Sequence, residues 1–247
     1  MDSSSQEISP VIKRPLPNAV IYDLSYADRV VVTLPTGSTW SSGLHWHEQH
    51  AEYLRVVKGK VRVRLGDKVQ VICAPESGNV VREIKVEKNT RHEWSREAAD
   101  GEDVVVVERT EPEDGNKAIF FWNLNGVVLD AQAESKLQET IIAGFSVVWL
   151  EHLLREFQVH LKLFTIFRSL DNFPVFVDLT GSSAGGYLKK IRPALPSLVE
   201  WLIAHFLLEA AAIFSSVWGI KPVQRKYTPK DAFDDWQRRI AGESKHE

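Results

Sequence analysis

Residues 45–59 read HWHEQHAEYLRVVKG, and this stretch decides the fold prediction. His45 and His47 are separated by one residue, so on an extended strand both side chains point to the same face. Glu52 lies in the apolar segment that follows, and a tight bend after His47 would bring its carboxylate beside the imidazoles. His92 supplies a third imidazole further along the chain. We predict that these four residues form a metal site.

The donor set restricts the ion. Three neutral imidazoles and one carboxylate suit a divalent transition metal, namely Fe, Mn, Ni, Co, Cu or Zn, and leave room for a substrate or water. A hydrogen-bonded polar cluster without a metal is the alternative for the same four residues. His50 and Glu48 lie in the same segment, and we expect their side chains to face solvent.

The sequence on either side has the pattern of half-buried strands. In residues 61–65 three apolar side chains alternate with two arginines, and Gly66-Asp67 after them predicts a hairpin turn. Similar short apolar segments recur between residues 19 and 110. Many short antiparallel strands joined by small turns favour a closed β-barrel or jelly roll.

The periodicity becomes helical after a polar break at residues 111–115. Apolar residues recur at helical spacing from residue 130 to 168, and residues 198–218 predict a further helix. We therefore predict an α+β chain with a flexible leader at residues 1–18, an N-terminal antiparallel β-barrel at 19–115 and a mainly α-helical C-terminal region at 116–247. The glycine-rich residues 181–186 predict a flexible loop and a candidate lid.

The helix at residues 198–218 has two interpretations. It is apolar and about as long as a bilayer is thick. Glu200, His205 and Glu209 oppose a simple span, since charges near the centre cost roughly 2.5–3.5 kcal/mol on insertion scales. The helix is therefore either buried against the preceding helix or part of an interfacial or membrane-embedded hairpin.

Composition excludes several classes of function. The net charge of -3 and the absence of an arginine-rich stripe argue against a nucleic-acid partner. Cys73 is the only cysteine, so neither an internal disulfide nor a CxxC metal pair exists. The first residues lack the apolar segment of a signal peptide, and we expect an intracellular protein, cytoplasmic or peripherally membrane-associated.

The spacing of the motif resembles that of a known family. His45-x-His47, four residues, Glu52, six residues and Gly59 is similar to the first motif of the cupin superfamily. His92 holds the metal-histidine position of the second cupin motif. The resemblance covers residues 30 to 110 and implies a β-barrel with the metal bound inside by these three histidines and Glu52.

The second motif departs from the family pattern at three positions. Glu87, Asn89 and Arg96 stand where proline, glycine and asparagine are usual. Asn89 can still adopt the left-handed turn that glycine supplies. Residues 170–174 and 226–229 are similar to the C-terminal part of small cupin proteins from fungal natural-product gene clusters. The resemblance also implies that two chains pair as a homodimer.

Strand alternation predicts the pocket beside the metal. Leu54 and Val56 share a face with Glu52, and Trp94 shares one with His92. We expect these side chains to form an apolar pocket for a flat or lipophilic molecule. Glu52, if weakly bound to the metal, is also the candidate catalytic base.

Cupins include dioxygenases, decarboxylases, isomerases, cyclases and proteins with no known catalysis, so the family implies no single reaction. We expect a metal-dependent cupin enzyme, a cupin-type oxidoreductase, acting on a small hydrophobic, polyketide-like metabolite in secondary metabolism. Oxidation or oxygenation is favoured over non-oxidative isomerisation, cyclisation or decarboxylation on the same metal. The alternative class is a non-catalytic cupin that binds a ligand or docks on a membrane.

Overall fold

The computed structural model describes residues 8–75, 83–141, 148–181 and 194–243. The strands within these residues are β1 (Val11–Arg14), β2 (Val20–Asp23), β3 (Val30–Leu34), β4 (His45–Trp46), β5 (Ala51–Lys58), β6 (Lys60–Leu65), β7 (Lys68–Cys73), β8 (Glu83–Val86), β9 (His92–Arg96), β10 (Val104–Glu111) and β11 (Phe173–Pro174). The helices are α1 (Asn116–Ile141), α2 (Val148–Ser169), α3 (Leu195–Val217) and α4 (Lys230–Glu243). The candidate lid lies, apart from Gly181, outside the described residues.

The strands form two antiparallel sheets. One has six strands in the order β1-β2-β3-β10-β5-β8, and the other has five in the order β11-β4-β9-β6-β7. The alternation predicted for β6 is present, because Val61 and Val63 are buried while Lys60 and Arg62 are exposed. The α+β class is confirmed.

The closed barrel that the strand pattern predicted is wrong. Within the described part of the chain, no strand pairing joins the two sheets. Helix α1 instead packs its first turns into the core of the sheets, where Ile119 and Phe120 share one apolar cluster with Val32. The rings of Tyr22 on β2 and Phe121 on α1 lie 4.5 Å apart between centroids. The helix therefore buries apolar surface that barrel closure would otherwise cover.

Both ends of the sheet region extend beyond the predicted boundaries. Strand β1 lies within the residues expected to be a flexible leader, and it pairs with β2. Strand β11 lies in the helical region and pairs with β4, with Phe173 opposite Trp46. Helix α1 begins at Asn116, well before the helical pattern recognised from residue 130 onward. Through β1, β11 and the first turns of α1, parts of the chain outside the predicted barrel pack with the two sheets.

Helices α2 and α3 pack antiparallel to one another. Contacts pair Phe157 with Trp218, Thr165 with Ser215 and Arg168 with Glu209, so residue numbers rise along one helix as they fall along the other. Helix α3 is the one described helix that is long and apolar enough to cross a membrane by length and composition. Only 22% of its apolar window is buried.

Candidate metal centre

Three strands and the loop after β4 bring the four predicted ligands together. His45 on β4 lies opposite His92 on β9 in the strand register, and their ring centroids are 4.2 Å apart. The His47 ring lies 5.0 Å from that of His45. Glu52 reaches the same point from β5 in the facing sheet. One ligand atom from each of the four residues lies within 4.8 Å of the others.

The backbone fixes which nitrogen of each ring faces the centre. His45 and His92 each direct Nδ1 at the carbonyl oxygen two residues earlier, at 2.8 and 2.9 Å. His47 directs Nδ1 at the backbone carbonyl of Asp171. A carbonyl only accepts, so all three Nδ1 atoms carry the proton and donate it. The lone pair of each neutral ring is therefore on Nε2, as in metal-bound histidines whose other nitrogen is held by a hydrogen bond.

The Nε2 atoms meet an acceptor rather than a donor. His47 Nε2 lies 2.9 Å from Glu52 Oε2, and His92 Nε2 lies 3.5 Å from the same oxygen. His92 Nε2 is buried and has no hydrogen-bond partner among the described residues. A buried polar atom without a partner costs about 1–3 kcal/mol. A second proton on an imidazole or a cation between these atoms removes the conflict.

A divalent transition metal fits this donor set. Ligand atoms about 2.0–2.2 Å from one ion and at a right angle to each other are about 3 Å apart. The 2.9 Å separation between His47 Nε2 and Glu52 Oε2 agrees with that spacing. The metal-free cluster, in contrast, leaves His92 Nε2 without a partner.

The local electrostatics favour the metal-binding protonation states. Burial lowers the pKa of His45 well below its usual range, and the neighbouring rings of His92 and His47 lower it further. Burial alone would raise the pKa of Glu52, but the Lys117 ammonium and the imidazoles of His47 and His92 hold it well below its usual value. The centre thus combines a neutral His45 with an ionised carboxylate, and metal ligands must be deprotonated in this way.

Lys117 on α1 is a functional candidate that the sequence analysis missed. Its Nζ lies 3.2 Å from Glu52 Oε2 and 2.9 Å from Glu108 Oε2. Burial lowers the pKa of Lys117, but the carboxylates of Glu108 and Glu52 raise it above its usual value, so the amine is charged. The available signal was a single lysine just before the apolar run at residues 118–122. It was missed because the helical pattern was recognised only from residue 130 onward.

A cavity of about 320 Å³ opens beside this cluster. That volume is at the lower end of the range for small-molecule sites. Its polar lining residues include Glu52 and Lys117. Its aromatic lining residues include Trp40, Phe120, Phe121 and Phe167.

The three residues predicted to form the substrate pocket do not line this cavity. Leu54, Val56 and Trp94 are all buried in the apolar core between the sheets. Trp94 donates its indole N–H to Glu108 Oε1 at 2.7 Å and packs its ring against Trp40 at 4.9 Å. Alternation gave the correct face of each strand, but core side chains fill that face, and α1 supplies much of the cavity wall.

The expectation that His50 faces solvent is also wrong. His50 is 5% exposed, with Nδ1 2.7 Å from Asp171 Oδ2 and Nε2 3.1 Å from Asp114 Oδ2. Burial lowers the pKa of His50, but the two aspartates raise it to about 9. Glu48 is partly exposed, and it accepts a hydrogen bond from the indole N–H of Trp201 at 2.8 Å.

Asp171 holds the loop that carries His47. Its carboxylate accepts the backbone N–H groups of residues 48, 49 and 50 at 2.8, 2.9 and 3.0 Å. Its carbonyl accepts the His47 ring proton, and its own backbone is in the left-handed region with φ 52°. The C-terminal region therefore positions a ligand of the N-terminal sheet region.

Two residues that depart from the second cupin motif, Asn89 and Arg96, have structural roles in this fold. Asn89 adopts φ 63°, as expected for the residue that replaces glycine, and its N–H donates to the His47 carbonyl at 2.6 Å. Arg96 is buried and donates to the carbonyl of Leu34 at 2.7 Å. The usual glycine of the first motif, Gly59, is also required here, because it has φ 78° and a Cβ there would lie 2.9 Å from a methyl group of Val104.

No protein-family model matches the chain, and no curated protein matches it. Among solved structures it is similar to the capsular polysaccharide assembling protein CapF from Staphylococcus aureus, at 18% identity over 41% of this chain, with a TM-score of 0.31. The match spans 28% of the CapF chain, less than a third of its length. A predicted oxalate decarboxylase from Thermotoga maritima is 20% identical over 44% of this chain and 97% of its own, with a TM-score of 0.32. A cupin 2 domain-containing protein from Halorhodospira halophila is 17% identical over 33% of this chain and 49% of its own, with a TM-score of 0.26.

Structural similarity at this level assigns no activity to the chain. The comparison with cupins therefore depends on the motif residues and their geometry. Two facing antiparallel sheets hold His45, His47, Glu52 and His92 at one point between them. The sheet region resembles a cupin domain in its two antiparallel sheets and in the arrangement of these four residues. The similarity to proteins of fungal natural-product clusters stays a prediction.

Proposed function

We propose that this chain is a metal-dependent cupin enzyme acting on a small, flat, hydrophobic molecule that carries a carbonyl or phenolic oxygen. The convergence of three imidazoles and Glu52 within 4.8 Å, beside a cavity with aromatic lining residues, carries the proposal. Apolar walls with a few convergent polar groups are typical of sites for such ligands. Polyketide-like aldehydes, quinones and phenols belong to this chemical class.

His45, His47, Glu52 and His92 would hold the ion. When bound, a divalent transition metal supplies a Lewis acid or a redox centre beside the ligand. The remaining roles belong to the chain. The aromatic walls hold a flat ring and exclude water, and the Lys117 ammonium donates a hydrogen bond to an oxygen of the ligand.

Oxidation or oxygenation is the first candidate reaction. A set of three imidazoles and one carboxylate accommodates the redox-active ions Fe, Mn, Co and Cu as well as Zn. Secondary metabolism is the proposed setting, and intracellular localisation and a homodimer stay predictions.

A non-oxidative isomerisation, cyclisation or decarboxylation is the second candidate, and Lys117 favours it. The ammonium of Lys117 and the carboxylate of Glu52 are 3.2 Å apart in the cavity wall. The ionised Glu52 could accept a proton from the substrate, while the Lys117 ammonium donates a hydrogen bond to the oxygen on which negative charge develops, and neither role needs an oxidant.

The test uses small molecules that accumulate in a strain lacking the gene. These compounds are incubated with purified protein loaded separately with each candidate metal, while dioxygen uptake and product mass are measured. An oxidase or oxygenase consumes dioxygen, whereas the second candidate gives a product without dioxygen uptake. A non-catalytic binder retains the compound unchanged, with or without a chelator.

Variants of the metal-binding residues decide whether turnover depends on the metal centre. We expect His92→Ala and Glu52→Gln to lose both metal and turnover while the fold persists, as judged by circular dichroism. Asp178→Asn, which alters an ion pair outside the cavity, is the matched control and keeps both. The proposal fails if folded His92→Ala protein retains metal content and turnover.

A further inference from the structure

Helix α3 exposes an apolar face that no described residue covers. Phe206, Ile213 and Val217 are 73%, 64% and 77% exposed, and their spacing places them on one side of the helix. Ala204 and Leu208, on the opposite side, are fully buried. The helix is therefore apolar on both sides, and the protein buries only one of them.

The exposed surface continues onto α2. The Phe157 ring of α2 lies 6.1 Å from the Trp218 ring at the end of α3. Leu153 and Leu154, one turn earlier, are 52% and 53% exposed. We define the α2–α3 apolar face as Leu153, Leu154, Phe157, Phe206, Ile213, Phe214, Val217 and Trp218. Contiguous apolar surface of this kind marks an interaction site more often than scattered exposed residues do.

The sequence that follows α3 is basic, although α2 carries Glu151 and Glu156 and the first turn of α4 carries Asp231. The two acidic side chains of α3 are both paired with arginines, Glu200 with Arg91 and Glu209 with Arg168, each at 2.5 Å. Residues 210–230 contain no acidic residue, although the whole chain has a net charge of -3. The same stretch contains four basic residues, Lys221, Arg225, Lys226 and Lys230, of which Lys226 is paired with Asp130 at 2.8 Å.

We propose that the α2–α3 apolar face lies in the interfacial region of a membrane that contains anionic lipids. The apolar side chains would enter the boundary between headgroups and acyl chains, with the Trp218 indole at the interface. Lys221, Arg225 and Lys230 would attract the lipid phosphates. Because α3 also packs against Trp46 and Phe173 of the sheet region, it lies along the surface rather than across the bilayer. This inference is independent of the proposed function.

Sedimentation with vesicles tests the proposal on the full chain. One set of vesicles is an equal mixture of phosphatidylcholine and phosphatidylglycerol, and the other is phosphatidylcholine alone. We expect the protein to bind the mixed vesicles at least about tenfold more tightly, and added salt to weaken this binding. The double variant Phe206→Asp, Val217→Asp should bind the mixed vesicles at least about tenfold less than the wild-type chain.

Val69→Asp is the matched control. Val69 is 59% exposed on β7, away from the helices, so the same substitution there should leave vesicle binding unchanged. Circular dichroism and metal content verify that each variant is folded. Equal binding to both kinds of vesicle, or equal binding by the double variant and the wild-type chain, contradicts the proposal. The proposal is also contradicted if the bound protein leaves the vesicles only in detergent and not in high salt, because that result indicates a helix that spans the bilayer. Absence of vesicle binding combined with self-association that the double variant abolishes assigns the face to a second copy of the chain instead.

Discussion

The ammonium of Lys117 lies 3.2 Å from Glu52 Oε2, so the first turn of α1 places a positive charge directly beside the proposed metal ligand. Glu108, 2.9 Å from the same ammonium, balances part of that charge. The three groups form a chain from the metal centre into the cavity wall. The ammonium repels the metal ion but can bind the substrate, so it should weaken metal affinity and support turnover. Substitution of Lys117 alone measures both effects.

Lys117→Met should tighten metal binding and reduce turnover. A cation near a divalent ion repels it, so at a pH where Glu52 stays ionised we expect the metal dissociation constant to fall about tenfold without the ammonium; at lower pH the raised pKa of Glu52 in the variant offsets this gain. Turnover should fall at least about a hundredfold if Lys117 donates to the ligand. Titration calorimetry with Co²⁺ measures the first effect and product formation the second. A parallel loss of metal affinity and turnover would show instead that Lys117 only supports the fold of the site.

Asp171 should control metal affinity without touching the metal. Asp171→Ala removes the acceptor for three backbone N–H groups and strains a residue at φ 52°. We expect metal affinity to fall about 10–100-fold, as is typical when a group that orients a ligand is lost. Asp171→Asn keeps an acceptor and a residue type that tolerates this backbone conformation, so it should retain most of the affinity. Equal metal affinities for the two variants would contradict the positioning role.

The sequence was sufficient for the local features of the centre. The His-x-His spacing and the position of Glu52 correctly predicted that four distant ligands meet, because strand alternation fixes the face on which a side chain lies. The same rule put Leu54, Val56 and Trp94 on the inner face of their strands, where they lie in the apolar core and not along the cavity. Alternation cannot distinguish the wall of a cavity from the core beside it, and this depends on where α1 packs.

Long-range partners were the features that the sequence could not supply. His50 is buried because Asp171 and Asp114 surround it, and Asp171 lies in a different region of the chain. Strand β11 consists of only two residues and is defined by its pairing with β4. Neither feature has a local pattern, so only the packed chain reveals them.

Two glycines in helices should respond to alanine in opposite directions. A Cβ at Gly126 would overlap the Tyr227 ring, whereas nothing lies within 4 Å of a Cβ at Gly242. We expect Gly126→Ala to lower the free energy of unfolding by about 1–3 kcal/mol through overpacking. Gly242→Ala should raise it by up to about 1 kcal/mol, because alanine favours helix. Urea denaturation of both variants decides this, and stabilisation by Gly126→Ala would show that α1 and Tyr227 are not in contact.

The Arg64–Asp178 ion pair should stabilise the fold in a defined pH range. Two hydrogen bonds of 2.6 and 3.0 Å from the guanidinium lower the pKa of Asp178 from 3.8 to about 2. Because the folded-state pKa is depressed, the stabilisation is present above pH 3.8 and is lost as the pH falls through about 2. The Asp178 side chain is 36% exposed, so solvent screening limits the contribution to under about 1 kcal/mol.

Asp178→Asn provides the measurement for this pair. The difference in free energy of unfolding between the wild-type chain and the variant should be largest near neutral pH and should shrink towards pH 2. A difference that grows on acidification would contradict the assigned ion pair.

Anomalous X-ray diffraction from crystals of metal-loaded protein tests the central claim most directly. The account predicts one ion per chain, bonded to Nε2 of the three histidines and to Glu52 at about 2.0–2.2 Å. Glu52→Gln crystals prepared in the same way should show much lower occupancy. Absence of an ion at this position for every candidate metal, with the three rings turned away from one another, would contradict the account.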